Sequence, residues 1–188
     1  DQLNQRVNQA FPGLLTPSGE LVYRCLKAYG ELDESGQTWR LTEGETWLER
    51  ETDQREMNNL LKKLSIKLKL SQEGDAPVLW LQMQGSNSPI YQFYILNTAI
   101  IERKVLLNPL EGCETIFVIP GSRSSLVKFK INRDPYLHEL LGASFHFMKY
   151  RTLRSIANRE DLSLDIWKVL LGSDPLSEEE TTQLSMFR

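Results

Sequence analysis

Apolar residues recur with helical spacing at Leu21, Val22, Cys25, Leu26 and Tyr29, just after Thr16-Pro17, a capping residue followed by a proline suited to the first helical position. That pattern predicts a short amphipathic helix. Beyond Gly30 a polar stretch containing Ser35-Gly36 leads to Thr38-Trp39-Arg40-Leu41, which reads as a turn into a short strand, and Trp47 and Leu48 are expected to dock this arm on a core. A second helix is predicted from Thr52, with Asp53 in its first turn and Met57, Leu60, Leu61 and Leu64 on one face. At Ser65 the period changes. Ile66, Leu68 and Leu70 alternate with Lys67 and Lys69, as in a half-buried strand.

Val78-Leu79-Trp80-Leu81 predicts the next strand, closed by Gly85-Ser86-Asn87, and the continuous apolarity of Ile90 to Leu96 predicts one covered on both faces. Ala99 to Leu107 is helix-like, with Asn108-Pro109 as its stop, and Thr115 to Ile119 is strongly strand-like, ended by Pro120-Gly121. Val127, Phe129 and Ile131 alternate with Lys128 and Lys130, which suits a strand, while Ser122 suits the cap of a helix, so that segment stays open. Tyr136 to Leu141 predicts a helical turn or two, Phe145 to Met148 a last strand, Thr152 to Ala157 a helix, and Leu162, Ile166, Val169 and Leu170 a final helix before a polar tail.

Helices and strands alternating through connections this short predict an α/β fold with a mixed central sheet and flanking helices. Three regions are expected: a helix and acidic arm over residues 1–51, an α/β core over 52–160, and a C-terminal helix with an acidic tail over 161–188. The arm lacks the full three-helix set and hairpin of a winged helix, and is expected to pack on the core as an extension.

Among the 188 residues, 40% are hydrophobic and 25% charged, the balance of a folded chain. No apolar run approaches the roughly 18 residues of a membrane span, and the cluster Phe11 to Leu15 is too short, and too broken by Pro12-Gly13, for a signal peptide. A chain that begins at Asp1 with a polar leader is expected to be a piece of a longer polypeptide. Cys25 and Cys113 are far apart and neither sits in a C-x-x-C pair, which suits a reducing, cytoplasmic setting and argues against structural zinc. His138 and His146 lack partners in any triad or metal pattern and are expected to be surface or structural histidines. No cofactor or metal is expected.

The net charge of −3 hides a strong asymmetry. Residues 31–53 carry Glu31, Asp33, Glu34, Glu43, Glu45, Glu49, Glu51 and Asp53 against Arg40 and Arg50, whereas residues 120–159 are basic. In that second stretch Arg123, Lys128, Lys130, Arg133, Lys149, Arg151 and Arg154 are the candidates for phosphate contacts, with Tyr136 or Tyr150 available to stack on unpaired bases. The plainer alternative is a solvated face balanced by the acidic arm and tail. Gly121-Ser122-Arg123-Ser124-Ser125 follows a strand as an anion-binding turn does, but without the spacing of a nucleotide-binding P-loop it reads as a polar turn.

Thr115-Ile116-Phe117-Val118-Ile119-Pro120, then Gly121-Ser122-Arg123, then Phe145 to Tyr150 running into Leu153, set within the order helix, three strands, helix, strand, strand, resembles the PD-(D/E)XK restriction-endonuclease-like superfamily over about residues 52–157. The resemblance implies an acid on the second strand and an acid-x-lysine on the third, which hold a divalent metal and activate water. The matching strands here, Val78 to Met83 and Tyr91 to Leu96, contain neither acid nor lysine. The family's catalytic residues therefore have no counterparts, and the likeness implies a pseudo-nuclease that keeps its scaffold for binding. The sheet end near Gln82, Gln92 and Arg123 is where any surviving chemistry is expected.

Three functions follow. The first is a non-catalytic domain that binds nucleic acid, DNA above all, or serves as a scaffold in a larger DNA-modifying or defence protein. The second is an active nuclease whose carboxylates have migrated to Glu49, Asp53, Glu56 or Glu102. The third is a module that grips a basic protein partner through the acidic arm or tail.

Overall fold

The computed structural model describes residues 5, 6, 9, 17–75, 77–86, 88–101, 103–142, 144–171 and 176, with backbone alone at 103 and 104. The chain divides into two compact units, residues 1–42 and 43–188. In the first, helix α1 (Gly19–Tyr29) is capped by Ser18, whose side chain accepts from the Leu21 amide, and leads directly into an antiparallel hairpin of β1 (Gly30–Leu32) and β2 (Trp39–Leu41). The turn between these strands is built by Asp33, whose Oδ1 accepts from the Gln37 and Thr38 amides and from the Ser35 hydroxyl. Those bonds, led by the one from Ser35, hold the Asp33 carboxyl below its ordinary value.

The second unit is α/β, with one five-stranded mixed sheet of order β3-β4-β5-β6-β7. Strands β3 (Leu70–Asp75), β4 (Val78–Met83) and β5 (Pro89–Ile95) form an antiparallel meander, and β6 (Glu114–Ile119) and β7 (Phe145–Lys149) continue in parallel. Parallel neighbours need crossover connections. These are α3 (Arg103–Leu107) between β5 and β6, and α4 (Ser124–Arg133) with α5 (Pro135–Leu140) between β6 and β7. That requirement decides the open segment: residues 127–131 are helical, entered through a 3-10 turn at Gly121–Arg123.

Alternation along the strands sorts the sheet into two faces. Leu79, Leu81, Tyr91, Phe93, Ile95, Ile116, Val118 and Met148 point to one, and are buried there with Met57, Leu61 and Leu64 of α2 (Trp47–Lys67), Leu153 and Ile156 of α6 (Tyr150–Asn158), and Trp167 of α7 (Leu164–Leu171). This is the main core. The other face carries Trp80, Gln92, Tyr94, Thr115, Phe117, Phe145 and Phe147, with Tyr94, Phe145 and Phe147 all within ring contact of Phe117. No helix among the described residues is long and apolar enough to cross a membrane.

Several local expectations change. Helix α2 begins at Trp47, not Thr52, because Thr46 and Glu49 form a capping box: the Thr46 hydroxyl accepts from the Glu49 amide at 3.4 Å and donates to its carboxylate at 2.5 Å. The expected boundary between residues 51 and 52 thus lies inside a helix. The strand predicted over 66–70 is the end of that helix, since Leu68 extends the buried helical series of Met57, Leu60, Leu61 and Leu64, while Ile66 lies exposed. The helix stops where Lys69 adopts φ 56°, and the strand starts at Leu70. The Lys67 ammonium donates to the Ala157 and Arg159 carbonyls at 2.7 Å each, satisfying the C-terminal end of α6. Trp47 and Leu48, expected to dock, are exposed, Trp47 at 76%.

Candidate nucleic-acid interface

The seven basic candidates do not share one environment. Arg133 and Arg151 are exposed and Lys128 is half-exposed; Arg133 lies over the Phe129 ring, 6.0 Å from its centroid. Lys130 is half-buried and donates to the Ala99 carbonyl at 2.9 Å, tying α4 to the segment after β5. Lys149 is buried at the end of β7. Arg123 is fully buried, and Arg154 is half-exposed beside α2. Of the two tyrosines expected to stack, Tyr136 is exposed, but Tyr150 is buried, with its hydroxyl on the Leu96 carbonyl at 2.7 Å. Burial pushes the Tyr150 hydroxyl well above its ordinary range.

Arg123, Arg154 and the acidic start of α2 form a continuous network beside the C-terminal ends of the parallel strands. Glu45 receives Arg50 twice, at 3.0 and 2.5 Å, and Arg123 donates to the same carboxylate. Arg50 reaches on to Asp53 at 2.9 Å, Arg154 meets Asp53 at 3.5 Å, and Arg154 grips Glu56 through two bonds of 2.8 and 2.6 Å. Three guanidiniums and three carboxylates alternate, each carboxylate facing at least one planar donor fork. The Glu45 and Arg123 side chains are 4% and 0% exposed. Their pairing offsets the cost of placing charge beside the sheet.

This network occupies the carboxylates proposed as migrated metal ligands. Asp53 and Glu56 are held by arginine, Glu49 serves the helix cap, and Glu102 lies outside the described residues. Among the described residues no cluster of three or more His, Cys, Asp and Glu has the proximity to hold a metal ion. His146 pairs with Glu114 at 2.7 Å, and burial pushes the free Cys113 thiol up to about 11, which keeps it protonated. The register also separates Gln82, Gln92 and Arg123. Gln82 lies opposite Pro89 at the start of β5, Gln92 in its middle, and Arg123 beyond the far end of β6.

The Glu45 contribution to this network has a partial sequence signal. Thr46-x-x-Glu49 marks the helix start, and Glu45, Arg50 and Asp53 cluster within about two turns of it. The pairing of Glu45 with Arg123 spans 78 residues and has no local pattern.

The outer end of the network carries a pH prediction. The hydrogen bond from Arg154, partly opposed by burial and reinforced by the arginine's charge, holds the Glu56 carboxyl below its ordinary value of 4.5. A carboxyl depressed in the folded state contributes stability above its unfolded value, and loses it as pH falls through the folded one. Both side chains are more than 40% exposed, so the contribution is under about 1 kcal/mol. Urea unfolding of wild type and Glu56→Gln should therefore show a small deficit for the variant at pH 7 that closes below about pH 4.5. A deficit that persists unchanged at pH 3 would show that the side chain acts through packing instead. Comparison of the chain with models of protein families, with curated proteins and with solved structures finds no match.

Proposed function

We propose that the chain is a non-catalytic nucleic-acid-binding domain on an endonuclease-like scaffold, one region of a larger DNA-modifying or defence protein working in the cytoplasm. The observation that carries this reading is the different fate of the charges: Glu45, Asp53 and Glu56 are held by arginine, while Arg133 and Arg151 are exposed and Lys128 half-exposed. A carboxylate whose oxygens already accept guanidinium bonds is a poor ligand for a hard dication, which needs several free oxygens. Exposed cations gain by displacing counterions condensed on a phosphate backbone. The strand order supports the scaffold half of the proposal, since α2, the antiparallel strands β3 to β5, α3 and the parallel β6 follow one another as the resemblance implies.

Affinity for short duplexes and single strands over a salt series tests this. Log affinity is expected to fall linearly with log salt, and Lys128→Ala, Arg133→Ala or Arg151→Ala should each reduce the slope by about one where the residue meets a phosphate. Absence of binding at low salt, or binding indifferent to salt, would overturn the proposal. Plasmid incubated with magnesium or manganese should stay intact, and nicking abolished by Asp53→Asn would restore the nuclease reading.

A second reading, capture of a basic protein partner, draws on the exposed Glu31 and Glu34 flanking Asp33 in the hairpin. Deleting residues 31–53 does not test it, because that span includes Glu45, Arg50 and the first turns of α2. Glu31→Gln with Glu34→Gln leaves the turn-forming Asp33 intact and removes only the exposed charge.

A further inference from the structure

The smaller unit carries an apolar stripe that it does not bury. Leu21, Val22, Cys25, Leu26 and Tyr29 recur along α1 with the spacing of a core-facing helix, yet Ala28 is the one buried residue among those described in residues 1–42. Tyr23, Leu32 and Leu41 are 54%, 46% and 61% exposed. A helix on a two-stranded hairpin has two walls and no third layer, so part of its apolar surface has nothing within the unit to cover it.

That surface forms a groove of about 290 Å³. Cys25, Leu26 and Tyr29 of α1 line one side, Trp39 and Leu41 of β2 the other, with Gly30 where helix and hairpin join. The two sides are held in place: a side chain at Gly30 would meet the Arg40 carbonyl at 2.6 Å, the Thr42 amide donates to the Tyr29 carbonyl at 3.2 Å, and the Trp39 ring stands edge-on to Tyr23 at 6.0 Å. The groove is thus preformed, with room for roughly one or two large apolar side chains.

Charge sets the occupant. Arg40 lines the groove and also a neighbouring polar recess of about 470 Å³, where Glu31, Asp33 and Glu34 lie. Three carboxylates against one guanidinium leave that recess acidic, and the turn bonds accepted by Asp33 favour its ionised form. An apolar groove that shares a wall with an acidic recess matches an apolar side chain with a lysine or arginine close to it in sequence. A phosphate backbone is repelled from the same place.

We propose that the groove between α1 and β2 receives an apolar side chain from a basic segment of a partner protein, whose lysine or arginine is held by Glu31 and Glu34. This rests on the second reading above, capture of a basic partner, and is independent of the nucleic-acid reading. The apolar anchor supplies affinity, while the carboxylates steer and orient the segment.

The test selects short random peptides, displayed on phage, against the full chain, and titrates the retained sequences as synthetic peptides. These are expected to place a leucine, methionine or aromatic residue within a few positions of lysine or arginine. Leu41→Ser should weaken them by roughly tenfold, and Glu31→Gln with Glu34→Gln by a factor that shrinks as salt rises. Because Leu41 is exposed, urea unfolding of Leu41→Ser should match wild type, which separates lost binding from lost folding. Cys25 gives a second readout: its half-exposed thiol lines the groove while Cys113 is buried, so bound peptide should slow alkylation of Cys25 by iodoacetamide and leave Cys113 unchanged. Basic peptides that depend on Glu31 and Glu34 yet ignore Leu41→Ser and leave Cys25 unprotected would overturn the groove and keep the charge reading. Self-association of wild type, abolished by Leu41→Ser, would assign the groove to a second copy of the chain instead. Retention of no peptide, or only of acidic ones, would sink both.

Discussion

Glu45→Gln is expected to destabilise the larger unit by about 3–5 kcal/mol, the range for removing one partner of a buried ion pair. The loss arises from what stays behind. Arg123 is fully buried, and its donor to Glu45 would face a neutral amide in place of a carboxylate, while Arg50 would meet one carbonyl oxygen and one N–H donor in place of two accepting oxygens. The reverse substitution is predicted to be milder. In Arg123→Met, Glu45 keeps its two-bond contact with Arg50, and the flexible methionine stem fills much of the space of the arginine, so a cost of about 1–2 kcal/mol is expected. Urea unfolding of both variants measures the asymmetry. Equal costs, or a Glu45→Gln cost below about 1 kcal/mol, would show that solvent reaches the pair and screens it.

The same pair marks the limit of what could be read along the chain. Elements whose own period decides them were legible: β4, β5 and β6 are runs of apolar or β-branched residues that no helical spacing fits, and all lie where the pattern puts them. The mixed sheet with flanking helices was legible for the same reason. Ambiguity arose where two periods coincide. Leu68 and Leu70 serve an alternating pattern and a helical one equally, and the choice fell to the left-handed turn at Lys69, which the residue type does not announce. In α4 the alternation of Val127, Phe129 and Ile131 gave way to topology, because two parallel strands cannot be joined without a crossover.

The candidate site was legible as charge and not as geometry. Composition located a basic stretch, yet fold position divides it: Arg123, in the turn after β6, and Lys149, at the end of β7, are buried, while Arg133 and Arg151 lie on exposed positions of helices. A run of basic residues carries no information about which of them meets a carboxylate from another part of the chain. Gln92 was noticed as the place where a catalytic acid is missing. Only the register shows that it lies beside Trp80 and Thr115, on the sheet face turned away from the main core.

Trp167→Ala is the second large effect expected, a loss of about 3–5 kcal/mol, and it decides whether the C-terminal helix is an appendage or part of the core. Helical spacing alone assigned α7 to a separate region with the acidic tail. In the fold its Trp167 is 0% exposed, with Tyr91 edge-on at 5.8 Å between centroids and Phe93 tilted at 6.1 Å. Leu162 and Leu171 are buried in the same cluster. Truncation to alanine removes the aromatic contacts and leaves a cavity beneath the central strand, which packed neighbours fill only in part. Trp167→Phe retains a ring against Tyr91 and should cost less than half as much. Because the cavity would open under β5, amide hydrogen exchange at Tyr91 and Phe93 should accelerate in Trp167→Ala with the global unfolding rate, and not ahead of it. A cost below about 1 kcal/mol, or exchange confined to α7, would mean that the sheet closes its core without this helix, and that residues from Leu162 onward fold as a dispensable layer.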